Sequence, residues 1–302
     1  MTTHDLKGRM LSAILRKSIR LLSGLSLGSL QRIGSILGKA AVVWQTEALR
    51  ITRINIEACY PHLSQVEKER LAYDSMLNTG MVAAEMAAIW EWPTARVLDL
   101  IQHVEGASLL EEAKQSREGL IVLVPHLGNW ELSGLFLAHH FTIRSLYLEP
   151  KLPGMDEYMR SVRERNGSTL VPAGKRGVMS LFTSLREGGV TGILPDQSPD
   201  RSGGIFVPFF GMQTHTMKLV PRLIEKTGAR VLMMTSLRND SGGFDVHVQK
   251  PLDDIYASDL HESAAAMNAS MERLIQLAPA QYQWEYKRFK HLPDKARHMY
   301  RT

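Results

Sequence analysis

The strongest constraint on the fold of this chain is an alternation, beginning after residue 117, between apolar segments of strand length and segments with helical periodicity. The strand candidates are 119–125, 142–148, 168–172, 190–194 and 230–237. The helical candidates are about 130–140, 155–166, 177–187, 215–227 and 259–277. This alternation predicts an α/β fold with a mostly parallel sheet flanked by helices. Residues 244–249 alternate strictly between apolar and polar, which predicts a half-exposed edge strand.

The part of the chain before residue 118 has the pattern of helices rather than strands. We predict two units: basic amphipathic helices over residues 1–50, and a domain over residues 51–302. Residues 51–117 of that domain are predicted to be helical. The α/β core of that unit is predicted over 118–292. Ser64, with Glu67 three residues later, is typical of a capping box that opens a helix.

The basic residues of this 302-residue chain are concentrated at its ends. Residues 1–58 contain nine Lys or Arg and only three acidic residues, whereas the whole chain has a net charge of +5. The residues of a second basic cluster are Lys287, Arg288, Lys290, Lys295, Arg297 and Arg301. Basic ends on a near-neutral body indicate an anionic partner: a membrane surface, an acidic carrier protein or a nucleic acid.

Cysteine content and hydropathy restrict the compartment. The single cysteine, Cys59, excludes an intrachain disulfide and a zinc site built from several cysteines, which fits a reducing compartment. No apolar stretch reaches the roughly 18 residues that a spanning helix needs. Residues 1–50 instead carry an apolar stripe at helical spacing beside basic residues, with Trp44 at its end. We expect these helices to lie in a membrane interface, and packing on their own domain is the alternative.

Residues 124–131, Val-Pro-His-Leu-Gly-Asn-Trp-Glu, lie where a strand ends and a helix begins, the place where open α/β sheets bind ligands. Asn129 is a candidate N-cap of that helix. Two residues five apart within one helix are rotated by about 140° and cannot meet, so His126 contacts Glu131 only if the turn at Gly128 folds it back. A carboxylate on one imidazole nitrogen leaves the other as a general base toward a hydroxyl. A helix-capping His beside a surface Glu is the alternative.

The segment around His126 and Glu131 resembles the His-x₄-acid signature of the lysophospholipid acyltransferase superfamily. Four further blocks of the chain are similar to its branch of bacterial lipid A late acyltransferases, the lauroyl and myristoyl transferases. They are Arg-Ile-Asn-Ile at 53–56 with Cys-Tyr-Pro-His-Leu-Ser at 59–64, Leu-Pro-Asp-Gln at 194–197, Phe-Val-Pro-Phe-Phe-Gly at 206–211, and Gln-Tyr-Gln-Trp at 281–284 with Arg-Phe-Lys at 288–290. These blocks occur in the same order and cover residues 50 to 292.

The resemblance implies transfer of a fatty acyl chain from an acyl carrier protein thioester, or from acyl-CoA, to a hydroxyl of a lipid or glycolipid. It places the reaction on the cytoplasmic face of the bacterial inner membrane, with no metal and no other cofactor. In that mechanism His126 deprotonates the acceptor hydroxyl and Glu131 orients the imidazole. The partners are then the carrier protein, the acceptor lipid and the membrane surface, and an acidic carrier suits the basic ends of the chain.

Five further residues are expected to bind substrate: Asn129, Lys151, Asp196, Gln197 and Arg201. Asp196, Gln197 and Arg201 follow a strand and either line the crevice or cap the sheet as loop residues. The aromatic residues of 206–210 either line an acyl groove or belong to the core. Those of 284–289 either form a belt at the membrane interface or belong to a packed C-terminal helix. One departure concerns the acceptor: Glu149 stands where the branch has an arginine, and Lys151 only partly offsets its charge.

Two alternatives to catalysis are considered. A nucleic-acid-binding protein is not predicted, because no helix-turn-helix, zinc-finger or ribonucleoprotein pattern is present and the basic N-terminal segment carries an apolar stripe. A catalytically degenerate relative that binds lipid or carrier protein is the second alternative, and Glu149 is the residue that keeps it open. Hydrolysis, with water as the acceptor, would use the same groups.

Overall fold

The structure, a computed structural model, describes residues 3–293 and 299–301. The basic residues Lys295 and Arg297 of the predicted C-terminal cluster lie outside the described residues. The N-terminal part is helical: α1 Thr3–Leu22, α2 Leu27–Val43, α3 Glu47–Cys59, α4 Gln65–Glu91 and α5 Thr94–Leu98. The predicted capping box at the start of α4 is confirmed, since the Ser64 side chain accepts from Glu67 N and Glu67 accepts from Ser64 N.

Strands and helices alternate through the rest of the chain. The strands are β1 Ile101–Glu105, β2 Leu120–Leu123, β3 Arg144–Tyr147, β4 Thr169–Pro172, β5 Val190–Ile193, β6 Gly204–Phe209, β7 Met212–Met217, β8 Arg230–Arg238 and β9 Phe244–Gln249. The helices are α6 Ala107–Gln115, α7 Trp130–His140, α8 Asp156–Glu164, α9 Lys175–Arg186, α10 Leu219–Thr227 and α11 Leu260–Ile275. The predicted α/β fold with its helical N-terminal part is therefore confirmed.

The main sheet has the strand order β1-β9-β8-β2-β5, and its pairs are parallel except for β8 with β9. β3 and β4 form a separate parallel pair, and a single bridge from Ile143 to Val190 connects them to the edge of the main sheet. β2 is buried on both faces: Ile121 and Leu123 join a core formed with α3, α4, α10 and α11, whereas Leu120 and Val122 face α6 and α7. A strand that is covered on both faces must be apolar throughout, as 120–123 is.

Two sequence predictions are corrected by the structure. Residues 244–249 do not form an edge strand, because β9 pairs with β1 on one side and β8 on the other; β1 was not predicted. The helix predicted at 215–227 begins only at Leu219, because residues 215–217 belong to β7, which forms a hairpin with β6. The two-residue loop of this hairpin, Phe210 and Gly211, has a positive φ at both positions, the geometry of a tight hairpin turn.

The N-terminal helices pack tightly onto the rest of the protein. α2 and α4 approach so closely that a Cβ at Gly34 would lie 2.5 Å from the Gly80 carbonyl oxygen, and one at Gly80 would lie 2.1 Å from the Gly34 oxygen. Further along, Leu30 of α2 and Ala88 of α4 belong to one buried cluster with Leu132 of α7. The helix that carries the candidate site residues is therefore supported directly by the N-terminal region.

Candidate active site

The register of the parallel sheet brings together the two loops that carry the predicted site residues. Leu123 at the end of β2 pairs with Ile193 at the end of β5. His126 and Asp196 each follow three residues after this pair, so they emerge side by side at the carboxyl edge of the sheet. This edge is where open α/β sheets form their ligand crevices.

Asp196 holds the His126 ring. Its Oδ1 lies 2.8 Å from His126 Nδ1, and its Oδ2 accepts from the His126 backbone N–H at 2.8 Å. Because an ionised carboxylate only accepts, Nδ1 carries the proton and the lone pair of neutral His126 is on Nε2. Burial by itself raises the pKa of Asp196, but the adjacent His126 and its two hydrogen bonds lower that pKa below its ordinary value. Asp196 is therefore an anion although only 2% of it is exposed.

The turn that carries His126 is held by other parts of the chain. Gly128 has φ +60°, and a Cβ there would lie 2.1 Å from the Ser236 carbonyl oxygen, so only glycine fits. Asn129 N donates to Ser236 O at 2.8 Å, and Gln283 N donates to His126 O at 3.0 Å. These bonds fix the imidazole relative to β8 and to the C-terminal segment.

His126 faces a cavity of about 650 Å³. The Gln197 amide lies 3.2 Å from His126 Nε2, and the Trp130 ring centroid is 4.9 Å from that of the imidazole. Most of the wall is apolar; among its side chains are Leu135, Leu137, Ile143, Leu146, Leu170 and Ile193. Three wall residues are exposed to solvent, Leu148, Ala173 and Leu194, which follow β3, β4 and β5. The cavity therefore opens at the carboxyl edge of these strands.

Glu131 lies in the same cavity wall but points to other partners, which corrects the predicted His126–Glu131 contact. Arg163 of α8 binds both of its oxygens, with Nε 3.2 Å from Oε2, and Trp90 Nε1 of α4 donates to Oε2 at 3.1 Å. Burial works to lower the pKa of Arg163, but the Glu131 carboxylate raises it above its ordinary value. The cause is positional: the first turn of α7 directs Glu131 toward α4 and α8, while the loop after β5 supplies the carboxylate for His126.

The sequence matches a known family over most of its length. The sequence model of the family described as "Bacterial lipid A biosynthesis acyltransferase" matches residues 10–291. The chain belongs to this family. It is 29% identical to the lipid A biosynthesis palmitoleoyltransferase of Escherichia coli (strain K12). The alignment spans 266 residues and covers 86% of this chain and 85% of that relative. It is 24% identical to the lauroyltransferase of the same strain (87% and 86% covered) and 26% identical to its myristoyltransferase (86% and 80% covered).

The remaining residues predicted for this acyltransferase fall into two groups. Asn129 is fully buried: its Oδ1 accepts from Leu132 N at 3.1 Å and its Nδ2 donates to Glu85 at 3.0 Å. It is the N-cap of α7, as predicted, and both of its polar atoms are engaged inside the protein. Its substrate contact stays a prediction. Lys151 and Arg201 are exposed, three and two residues beyond the cavity-lining Leu148 and Pro199. Their substrate role stays a prediction.

The aromatic residues of the two later motifs are mainly structural. Phe209 is fully buried in the main core, and Trp284 and Phe289 are 2% and 1% exposed. Arg288 is buried with them and donates to His215 O at 2.7 Å. Its positive charge also contributes to the low pKa of Asp196. The buried residues of these motifs therefore pack in the core next to the site and do not line the cavity.

Sequence reasoning missed the second charged pair of this site and its surroundings. Arg163 and Arg165 both line the cavity, and Arg165 donates to the carbonyl oxygens of Ile89, Trp90 and Trp92 at the end of α4. Helix α8 carries two arginines, Arg160 and Arg163, and nothing in the sequence distinguishes Arg163 from Arg160. Glu149 is exposed and lies outside the cavity wall, so its charge does not enter the site. No cluster of three His, Cys, Asp or Glu that could hold a metal ion occurs within 3–293 and 299–301.

Proposed function

We propose that this protein transfers a fatty acyl chain from an acyl carrier protein thioester to a hydroxyl group of a lipid A-type acceptor, with His126 as the general base. One observation carries the proposal: a His held by a buried carboxylate on Nδ1 presents Nε2 to a large, mostly apolar cavity. The apolar wall suits an acyl chain, and the imidazole suits a hydroxyl that must lose its proton.

The proposed reaction begins with proton transfer from the acceptor hydroxyl. His126 Nε2 takes the proton of the acceptor hydroxyl as its oxygen attacks the thioester carbonyl. Asp196 stabilises the imidazolium that forms, because its oxygen already lies 2.8 Å from Nδ1. The tetrahedral intermediate collapses, the carbon–sulfur bond breaks, and the imidazolium returns the proton to the leaving thiolate. The products are an ester and the free thiol of the carrier.

Glu131 has a different role in this proposal from the one that its spacing predicts. Because its two oxygens bind Arg163 and Trp90, it holds the Arg163 cation in the cavity wall rather than orienting His126. A cation fixed in the cavity wall favours the negative charge that develops on the thioester oxygen. We therefore assign proton transfer to the His126–Asp196 pair and charge stabilisation to the Glu131–Arg163 pair.

The carrier protein is proposed to dock where the cavity opens. The loops and helix starts around that opening carry five basic side chains, which are Lys151, Lys175, Arg176, Arg201 and Lys218. The acidic residues of the same loops and helix starts are Glu149, Asp156, Glu157 and Asp200, and Asp156 is paired with Arg160. We propose that the basic side chains beside the opening attract an acidic carrier and orient its thioester toward the cavity.

Acyl transfer by the purified full-length protein in detergent tests the proposal. Acyl carrier protein thioesters and acyl-CoA are offered with lipid A precursors, lysophospholipids and glycolipids, and the products are identified by mass spectrometry. We expect one acceptor to gain the mass of one acyl group, the carrier thioester to be the better donor, and His126→Ala to abolish the gain. If folded wild-type protein transfers nothing to any acceptor, the proposal is wrong and a binding role replaces it.

Membrane attachment at the interface is proposed from the surface of α1 and α2. None of the helices formed by the described residues is long and apolar enough to cross a bilayer. Exposed apolar side chains are nevertheless frequent on α1 and α2, among them Leu11, Ile14, Ile36, Leu37, Val43 and Trp44. α1 also contacts the loop after β3, since Ser12 Oγ donates to Pro153 O at 2.6 Å. The loop after β3 begins at the cavity-lining Leu148, so α1 contacts a segment that leads away from the cavity opening.

The double variant Leu11→Glu/Ile14→Glu is expected to lose most of its binding to anionic lipid vesicles, because two charges replace apolar groups that are 54% and 55% exposed. Co-sedimentation with vesicles measures this. Val66→Glu/Met179→Glu is the matched control, since these side chains are 79% and 61% exposed on α4 and α9. Equal loss in both variants, or release of the wild type by mild salt alone, would contradict interfacial insertion of α1.

A further inference from the structure

Gly134 is a glycine that the fold itself does not require. It lies in the interior of α7, where a glycine costs about 1 kcal/mol relative to alanine. A Cβ at this position would meet no atom within 4 Å, whereas a Cβ at Gly34, Gly80 or Gly128 would collide with backbone. Packing and backbone conformation explain those three glycines but not Gly134. What Gly134 leaves open is space inside the cavity, whose wall it helps to form.

Gly134 lies about one helical turn further along α7 than Trp130, the residue that packs against His126. Gly134 is four residues after Trp130 and three after Glu131, so all three share one face of the helix. Trp130 lies against His126, and Gly134 is about 6 Å further along the helix axis. Leu137, about one turn further along α7, belongs to the same cavity wall, as do Ile143 and Leu146. A chain whose reacting carbon lies at His126 would thus pass Gly134 before it reaches the apolar end.

We propose that Gly134 keeps open the passage of the donor's acyl chain and so sets the longest chain that the enzyme accepts. This inference rests on the proposed function, because it assumes that the cavity holds the acyl group. A Cβ at 134 enters the passage without meeting an atom within 4 Å, and larger side chains reach further into it. They therefore shorten the cavity while leaving the His126–Asp196 pair in place.

The test is the series Gly134→Ala, Gly134→Val and Gly134→Leu, assayed with carrier thioesters of increasing chain length. We expect kcat/KM for the longest chains to fall progressively along the series while that for the shortest stays unchanged. For Gly134→Val, the long-to-short ratio of kcat/KM should fall by at least about tenfold, the usual value of one methylene in an apolar pocket. Gly134→Ala should melt at or above the wild-type temperature, because alanine is the better helix former.

Gly28→Ala and Gly28→Val are the matched controls. Gly28 is also helical, exposed on α2, and a Cβ there meets nothing within 4 Å, so these variants change helix stability without entering the cavity. Their chain-length preference should equal that of the wild type. If Gly134→Ala and the larger variants keep the wild-type preference, or lose all chain lengths equally while folded, the inference is wrong. Should the larger variants not fold, Gly134→Ala alone decides.

A binding measurement separates this inference from the proposed function. Free fatty acids of increasing length compete with a fluorescent fatty acid for the wild type and for Gly134→Val. If no thioester is a substrate but long fatty acids bind the wild type and not the variant, the proposed reaction fails and the passage at Gly134 stands. If transfer occurs and both proteins bind fatty acids of all lengths equally, the proposed acyl transfer is supported and the proposed role of Gly134 is wrong.

Discussion

Asp196→Asn is expected to lower kcat for acyl transfer by about 10²- to 10⁴-fold, close to the effect of His126→Ala. An asparagine at 196 can turn its NH₂ group toward His126 Nδ1, which then has to accept. The ring proton moves to Nε2, and the nitrogen that faces the cavity loses its lone pair. The loss therefore arises from a wrong tautomer, and it should appear in kcat rather than in KM for either substrate.

Asp200→Asn is the matched control, because it removes an exposed carboxylate four residues further along the same loop. Its kcat should equal that of the wild type. The double variant Asp196→Asn/His126→Ala should be no slower than His126→Ala alone, since the two residues act as one unit. If Asp196→Asn keeps wild-type kcat while Glu131→Gln abolishes it, Asp196 does not act through His126. The carboxylate predicted from the sequence spacing would then be the one that the reaction uses.

The architecture could be predicted because its causes are local in the sequence. β2 and β5 are short apolar segments, α7 begins at a good capping residue, and the capping box at Ser64 opens α4 as its residue types require. Where the prediction was wrong, tertiary pairing decided. Residues 212–217 have residue types that suit a helix or a strand, and only the antiparallel partner Gly204–Phe209 makes them β7.

The site was predicted less completely than the fold for a related reason. His126 was found because the turn at Gly128 is visible in the sequence, but its carboxylate partner comes from a segment 70 residues away. The signal was present: both residues follow the ends of apolar strands at the same distance, and parallel strands align their carboxyl ends. This equal spacing predicts the His126–Asp196 contact only if β2 and β5 are known to be neighbours in the sheet. Arg163 had no such signal, since its approach to Glu131 depends on how α8 packs.

The second large effect is expected at Glu85, which is fully buried and connects the N-terminal helices to the active site. Its two oxygens lie 2.6 and 3.0 Å from Arg238 Nε and Nη2. Gln31 of α2 and Asn129, the N-cap of α7, donate to the same carboxylate at 3.0 Å each. One side chain of α4 thus joins α2, the end of β8 and the start of the helix that carries Glu131.

Glu85→Gln is expected to lower the free energy of unfolding by about 3–5 kcal/mol, because it leaves the Arg238 charge buried without an anion. Arg238 cannot move to water, since only 7% of its side chain is exposed, and a glutamine offers one acceptor oxygen where Arg238 donates to two. Urea unfolding of the full chain measures the change. Glu69→Gln breaks a pair with Arg53 on the exposed side of the same helix and should cost less than about 1 kcal/mol.

A second measurement separates the lost charge from a general disturbance of packing. The variant Glu85→Gln/Arg238→Gln removes both charges, so its destabilisation should be smaller than the sum of the two single effects. Additive losses would mean that the two residues act independently and that the buried pair is not the cause. Because Asn129 depends on Glu85 for one of its hydrogen bonds, the loss should also reach α7. Hydrogen exchange at the first turn of α7 should therefore rise in Glu85→Gln and not in Glu69→Gln, which connects the buried pair to the position of the active-site helix.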